Sequence, residues 1–172
     1  MSTRKTTQHL PRKLFDPAHE LFRDNVRRFF ETEVMPHHER WEEQGYVDRE
    51  CWKKAGENGL LCVTMPEQYG GAGVDRLYST ILIEEAARLG ASGPGFSLHS
   101  DIVSNYLNNF GSEEIKQASL PPMARGEMIG AIAMTEPGAG SDLQSIRTTA
   151  RRDGDHWVIN GSKTYITNGY NS

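Results

Sequence analysis

A chain of 172 residues is long enough for one domain or a domain and a half, and 37% hydrophobic with 24% charged residues is ordinary for a soluble globular protein. A net charge of −4 removes the electrostatic case for nucleic acid or an anionic membrane as partner, and no apolar run approaches membrane-spanning length. Cys51 and Cys62 stand in no metal-type spacing, so they read as reduced thiols, with the cytoplasm as default location.

Residues 1–13 carry Arg4, Lys5, Arg12 and Lys13 without an acid. Lacking an amphipathic stretch, residues 1–15 read as a flexible tail rather than a transit peptide. Asp16-Pro17 then opens a helix, Asp as N-cap and Pro at the first helical position. Leu21, Phe22, Val26, Phe29, Phe30 and Val34 share its inner face, and Pro36 is expected to end or kink it. His37-His38 point in different directions on a helix, so they read as a solvated face rather than a metal site. Gly45 stops a short helical piece around Trp41, and Asp48 caps the next helix through Trp52 and Ala55. Leu60–Val63 reads as an interior run, and Pro66–Gly73 as a structural loop.

Leu77–Leu89 has helical spacing at Leu77, Ile81, Leu82, Ala86 and Leu89, with Gly90 as stop. Glu84-Glu85 diverge by about 100° around such a helix, so they cannot converge as paired catalytic carboxylates, and Arg88 is expected to pair with Glu84. Gly93-Pro94-Gly95 turns into a helix from Phe96 to Phe110 with Ile102, Val103, Tyr106 and Leu107 inside. Small residues at Gly93, Gly95, Ser97 and Ser100 leave room beside it for a long ligand. His99, alone on this apolar element, reads as a satisfied core histidine. Ser112 caps a last helix that Pro121-Pro122 closes, and Arg125-Gly126-Glu127 reads as a boundary.

From Met128 the period becomes extended. Met128–Ala133, Ser145–Arg152, His156–Asn160 and Lys163–Thr167 read as strands, with turns at Asp153-Gly154-Asp155 and Asn160-Gly161, the second a strong hairpin signal. Alternation puts Lys163, Tyr165 and Thr167 on one face. The fold class is α+β: an all-α helical domain over 16–126, then the first strands of an antiparallel β domain over 127–172. Between the first two strands lies Thr135-Glu136-Pro137-Gly138-Ala139-Gly140-Ser141-Asp142. Its glycines and hydroxyls suit a concavity of backbone N–H groups facing a phosphate or a ring edge. A Pro-Gly turn with no ligand is the alternative.

The segment Ile129–Leu143 closely resembles the signature of acyl-CoA dehydrogenases, which are FAD-dependent. Gly161–Gly169 resembles that family's second flavin segment, and Gly93–Ser100 resembles its long-chain branch. The resemblance implies α,β-dehydrogenation of an acyl-CoA thioester. It implies flavin contacts at Ile132, Ala133, Met134, Thr135, Gly140, Ser141, Tyr165, Ile166 and Thr167. In that scheme Thr135 serves the pyrimidine edge, Tyr165 the ring face and Thr167 the N5 position. It likewise implies substrate contacts at Ser141, Gly95, Phe96 and His99.

The family's catalytic glutamate comes from a second helical domain beyond residue 172, so no catalytic base is expected here. The chain reads as the N-terminal portion of a longer enzyme, itself inactive. The resemblance further implies an electron-transfer flavoprotein as partner, a homo-oligomer (dimer or tetramer), and the cytoplasm, or the mitochondrial matrix in a eukaryote. Two other readings stand beside it: an acyl-CoA oxidase that passes electrons to oxygen, and a non-catalytic helical interaction module.

Overall fold

The computed structural model describes Leu14–Ser172; the basic tail of residues 1–13 lies outside the described residues. Helices α1 (Pro17–Phe29) and α2 (Met35–Gln44) are joined by a π turn at Phe30–Val34. Asp16 caps α1 by accepting from the backbone of Ala18 and His19, and His19 returns the bond in a capping box. Pro36 does not end the helix. The π turn loosens the ladder just ahead of it, with the Met35 N–H reaching back to Phe30, so the missing Pro36 donor is absorbed and the chain stays helical. Leu21 proves 74% exposed, outside the buried stripe of Val26, Phe29 and Phe30.

Helix α3 (Arg49–Glu57) follows Gly45, whose φ of +83° closes α2 in the left-handed region. Helix α4 (Arg76–Leu89) runs beside α1 and is capped by Asp75. On α4 the acidic partner of Arg88 is Glu85, not Glu84. Glu85 is buried and draws Arg27 and Arg88, while Arg23 reaches both Glu84 and Glu85. Three guanidiniums satisfy what would otherwise be an isolated buried carboxylate.

A second π turn, Leu98–Val103, leads into α5 (Ser104–Phe110). It re-phases the helix so that His99, Ser100 and Ser104 face inward, leaving Ile102 and Tyr106 exposed where an interior position was expected. Helix α6 (Glu113–Ala124) starts at the Ser112 cap as expected but runs through Pro121-Pro122 rather than stopping there. The prolines lose their own donors, yet their carbonyls still accept from Arg125, Glu127 and Met128.

The larger apolar core joins α1, α3, α4 and Phe96 around Trp52 and Leu60, and a smaller one joins Cys62, Met65 and Tyr69 to Leu120 and Met123. Past α6 the chain opens out. Strands β1 (Thr149–Asp153) and β2 (His156–Asn160) form an antiparallel hairpin with Asp153 opposite His156, every residue exposed. Met128–Ala133 and Lys163–Thr167 are extended or turned segments rather than strands, β1 begins at Thr149 rather than Ser145, and Asn160-Gly161 is not a hairpin turn.

Candidate functional site

The turn after the first extended segment is small and closed. Glu136 and Ala139 exchange backbone hydrogen bonds at 2.9 and 3.1 Å around Pro137-Gly138. Neither Gly138 nor Gly140 has a positive φ, and nothing lies within 4 Å of a Cβ built on either, so neither glycine is required here by strain or crowding. What organises the turn is the Glu136 side chain. Its carboxylate accepts from the backbone N–H of Arg147 at 2.8 Å and of Thr148 at 2.9 Å, and from Lys163 Nζ at 3.0 Å. Hydrogen bonds from Thr148 and Arg147, aided by the Lys163 ammonium, hold its carboxyl down at about 2. This charge is engaged in structure and free for no acid–base work.

Lys163 also donates to the Met134 carbonyl at 3.1 Å, and the Thr164 N–H to the Thr135 carbonyl at 3.0 Å. The two motif segments therefore lie side by side. Their shared face is an open groove of about 500 Å³ lined by Ala131, Ala133, Thr164, Tyr165 and Ile166 among others. The backbone N–H groups of residues 131–135 find no acceptor among the described residues. Tyr165 stands 92% exposed with a φ of +53°. An aromatic residue in the left-handed region costs on the order of 1 kcal/mol, and such strain gathers at ligand sites. Backbone N–H groups left without a protein acceptor, in a segment that lines the groove at Ala131 and Ala133 beside a bare aromatic ring, suit a planar ring with a polar edge, so these residues fit a flavin.

Of the nine expected flavin contacts only Ala133, Tyr165 and Ile166 line this groove; Ile132, Met134, Thr135, Gly140, Ser141 and Thr167 do not. Thr135 turns its carbonyl to Thr164 and lines none of the principal cavities, while Thr167 lines a different one. The single strand face expected to carry Lys163, Tyr165 and Thr167 does not exist, because the chain reverses at the positive φ of Tyr165 and again at Asn168. Gly140 and Ser141 are exposed on the turn that follows Glu136, and Asp142 takes a hydrogen bond from Ser145 Oγ.

The cavity that Thr167 joins measures about 350 Å³, within the range of small-molecule pockets. Its walls are mostly apolar: Phe30, Leu82, Ala86, Gly95 and Phe96. Phe96 is buried and set edge-on against Trp52 at 4.8 Å, which fixes the floor. The rim is held by His38, buried rather than solvated as expected, whose Nε2 accepts from the Gly93 N–H at 3.4 Å. His37 lies outside against Trp41.

His99 is fully buried and lines neither cavity. Its Nδ1 accepts from the Gly130 N–H at 2.9 Å, which leaves Nε2–H to donate to the Met123 carbonyl at 3.1 Å. Burial pushes its pKa down to about 4, keeping the ring neutral. Sequence reasoning missed two residues that hold the site, Glu136 and Asn168. The Asn168 carboxamide donates to the carbonyls of Gly95 at 3.2 Å and Gly130 at 3.1 Å. Only an asparagine directly after Thr167, a residue type that tolerates positive φ, hinted at it.

Two family models match consecutive stretches of the chain. The family model for the acyl-CoA dehydrogenase N-terminal domain matches residues 16–127, and that for the acyl-CoA dehydrogenase middle domain matches residues 131–172. The mitochondrial long-chain specific acyl-CoA dehydrogenase of Sus scrofa is 53% identical over 169 residues, 98% of this chain and 39% of that protein. A short-chain specific acyl-CoA dehydrogenase of Clostridium acetobutylicum is 43% identical over 151 residues, covering 87% of this chain and 40% of its own length. Among solved structures, an acyl-CoA dehydrogenase from Geobacillus kaustophilus superposes with a TM-score of 0.89 at 48% identity, over 94% of this chain and 43% of that one. One from Bacillus anthracis complexed with FAD gives 0.82 at 36% identity, over 94% and 28%. The chain thus spans 39% of the length of its long-chain relative. Matched across both blocks and superposed on enzymes of the same fold, the chain belongs to the acyl-CoA dehydrogenase family.

Proposed function

We propose that this chain forms the N-terminal helical part and the first flavin-facing segments of an FAD-dependent acyl-CoA dehydrogenase that acts on long-chain acyl-CoA thioesters. The observation that carries the reading is the juxtaposition of the two motif segments along one open groove, with an apolar cavity beside Gly95 and Phe96. When bound, FAD supplies the two-electron acceptor for α,β-dehydrogenation. The chain's own residues do the holding. The N–H groups of 131–135 offer donors to the ring's polar edge, Tyr165 offers its face, and Glu136 with Lys163 keeps the two segments adjacent.

In this reading the 350 Å³ cavity takes the acyl tail, and the exposed Ser141 is assigned to the CoA portion. No carboxylate lines either cavity among the described residues. The base that removes the α-proton is therefore assigned to the portion of the relatives that this chain does not span. Electron-transfer flavoprotein as acceptor, a dimeric or tetrameric assembly, and a cytoplasmic or mitochondrial-matrix location belong to the same proposal. Among the described residues no helix is long and apolar enough to cross a membrane.

The test is turnover by the full-length enzyme with saturated acyl-CoAs of graded length, followed by reduction of electron-transfer flavoprotein and, in parallel, by oxygen uptake. Turnover rising toward long chains with little oxygen uptake supports the reading. Oxygen uptake matching turnover would make it an oxidase. A colourless protein would leave only a helical interaction module.

A further inference from the structure

Asn168 stands where three parts of the molecule meet. Its φ of +63° turns the chain back directly after Thr167, which lines the apolar cavity. The carboxamide nitrogen has two hydrogens, and each has a carbonyl: Gly95 on the cavity rim at 3.2 Å and Gly130 at 3.1 Å. Both neighbours are acceptors, so the nitrogen, not the oxygen, must face them. Gly95 is matched to it, and Gly130 to the side chains packed beside it. A Cβ on Gly95 would run into the Asn168 carboxamide, and one on Gly130 would press on Val103. Gly130 is also held from its other side, since its N–H goes to His99. Its peptide leads directly into residues 131–135, of which Ala131 and Ala133 line the groove.

We propose that Asn168 is a positioning residue that sets the apolar cavity and the groove-lining segment in register, so that occupation of the cavity by an acyl tail orders residues 128–135. This rests on the reading of the cavity as the acyl site. A single carboxamide spans the 73 residues between Gly95 and itself and the 38 between Gly130 and itself, and among the described residues no other side chain bonds to both glycines. Movement of the Gly95 rim therefore reaches Gly130 through one rigid amide plane.

The experiment uses the full-length enzyme and two variants. Asn168→Gly keeps the positive φ and deletes the carboxamide; Asn168→Asp keeps the shape but puts an oxygen against both carbonyls. Hydrogen exchange of residues 128–135 is measured with hexadecyl-CoA and with butyl-CoA, thioethers that cannot be dehydrogenated in place of the thioester substrate. In the native enzyme hexadecyl-CoA should slow exchange in 128–135 and butyl-CoA should not. Both variants should lose that difference, and their ratio of kcat/KM for long over short substrates should fall by about tenfold to a hundredfold, the worth of one to two hydrogen bonds. Variants that retain the chain-length-dependent protection would overturn the proposal, and so would a uniform fall in kcat/KM at every chain length. If hexadecyl-CoA does not bind the native enzyme at all, the acyl-site reading itself has failed, which is a separate result.

Discussion

The ammonium of Lys163 lies 3.0 Å from the carboxylate of Glu136, joining two segments 27 residues apart that together wall the groove. Lys163 is three-quarters buried and Glu136 more so, and the same carboxylate holds the Arg147 and Thr148 amides. A carboxyl held below its ordinary value of 4.5 contributes fully to stability above that value. It loses the contribution as pH falls toward its folded value of about 2. The amide resonances of Arg147 and Thr148 should therefore titrate with a midpoint near 2. A midpoint near 4.5 would mean the carboxylate is not engaged. Glu136→Gln should speed exchange of both amides by about tenfold, one charge-assisted bond's worth.

His99 titrates in the opposite chemical sense but to the same effect on stability. Its folded pKa of about 4 lies below the ordinary 6.5, so the unfolded chain takes up a proton first as pH falls. Stability should be fully present above 6.5 and decline between 6.5 and 4, by up to about 3 kcal/mol at roughly 1.4 per pH unit. His99→Phe should abolish that slope. It should also lower stability at neutral pH by about 2 kcal/mol or more, because the Gly130 N–H and the Met123 carbonyl lose their partner. Urea unfolding across this pH range measures both effects. A slope that survives in His99→Phe would place its origin elsewhere.

These two residues also mark what the sequence could disclose. The Asp16 cap, the glycine stops at Gly45 and Gly90, and the β1–β2 hairpin depend on neighbours within a few residues, so they were legible. His99 was legible as core because a lone histidine on an apolar helix has few other fates. The π turns were not, since they are settled by how Pro36 and the inward His99 and Ser104 are accommodated in three dimensions. Lys163–Thr167 has the alternation of a strand, but its amine and the Thr164 N–H are spent on Met134, Thr135 and Glu136, and Tyr165 turns left-handed. Contacts of that range leave no periodic trace. The clamp made by Asn168 is invisible for the same reason.

The acyl cavity should respond to filling from a wall that is not part of the clamp. Gly95→Leu is a poor probe, because its Cβ would displace Asn168. Ala86, on α4, lines the same cavity without that contact. In the full-length enzyme Ala86→Leu should shift preference toward shorter acyl chains. Each methylene that loses its place should cost about 0.8 kcal/mol, roughly fourfold in kcat/KM. A chain-length profile that does not move would mean the cavity is not where the tail goes.

The 172-residue chain by itself should hold FAD weakly and show no turnover. Its groove is open, Tyr165 is bare, and no carboxylate among the described residues lines either cavity. Binding still costs the cofactor at least about 4 kcal/mol of translational and rotational freedom. Gel filtration after saturation with FAD, followed by dye reduction with palmitoyl-CoA, checks this. Stoichiometric flavin with turnover would show that a base and a sufficient flavin site lie within these residues.

The most direct measurement is flavin reduction in the full-length enzyme under anaerobic conditions. Native protein should be purified yellow and bleach on addition of palmitoyl-CoA. Tyr165→Ala should retain less flavin on gel filtration, because the exposed ring that walls the groove has been removed. If native protein carries no flavin, or if Tyr165→Ala binds and bleaches as the native enzyme does, the groove between residues 131–135 and 163–166 is not the flavin site.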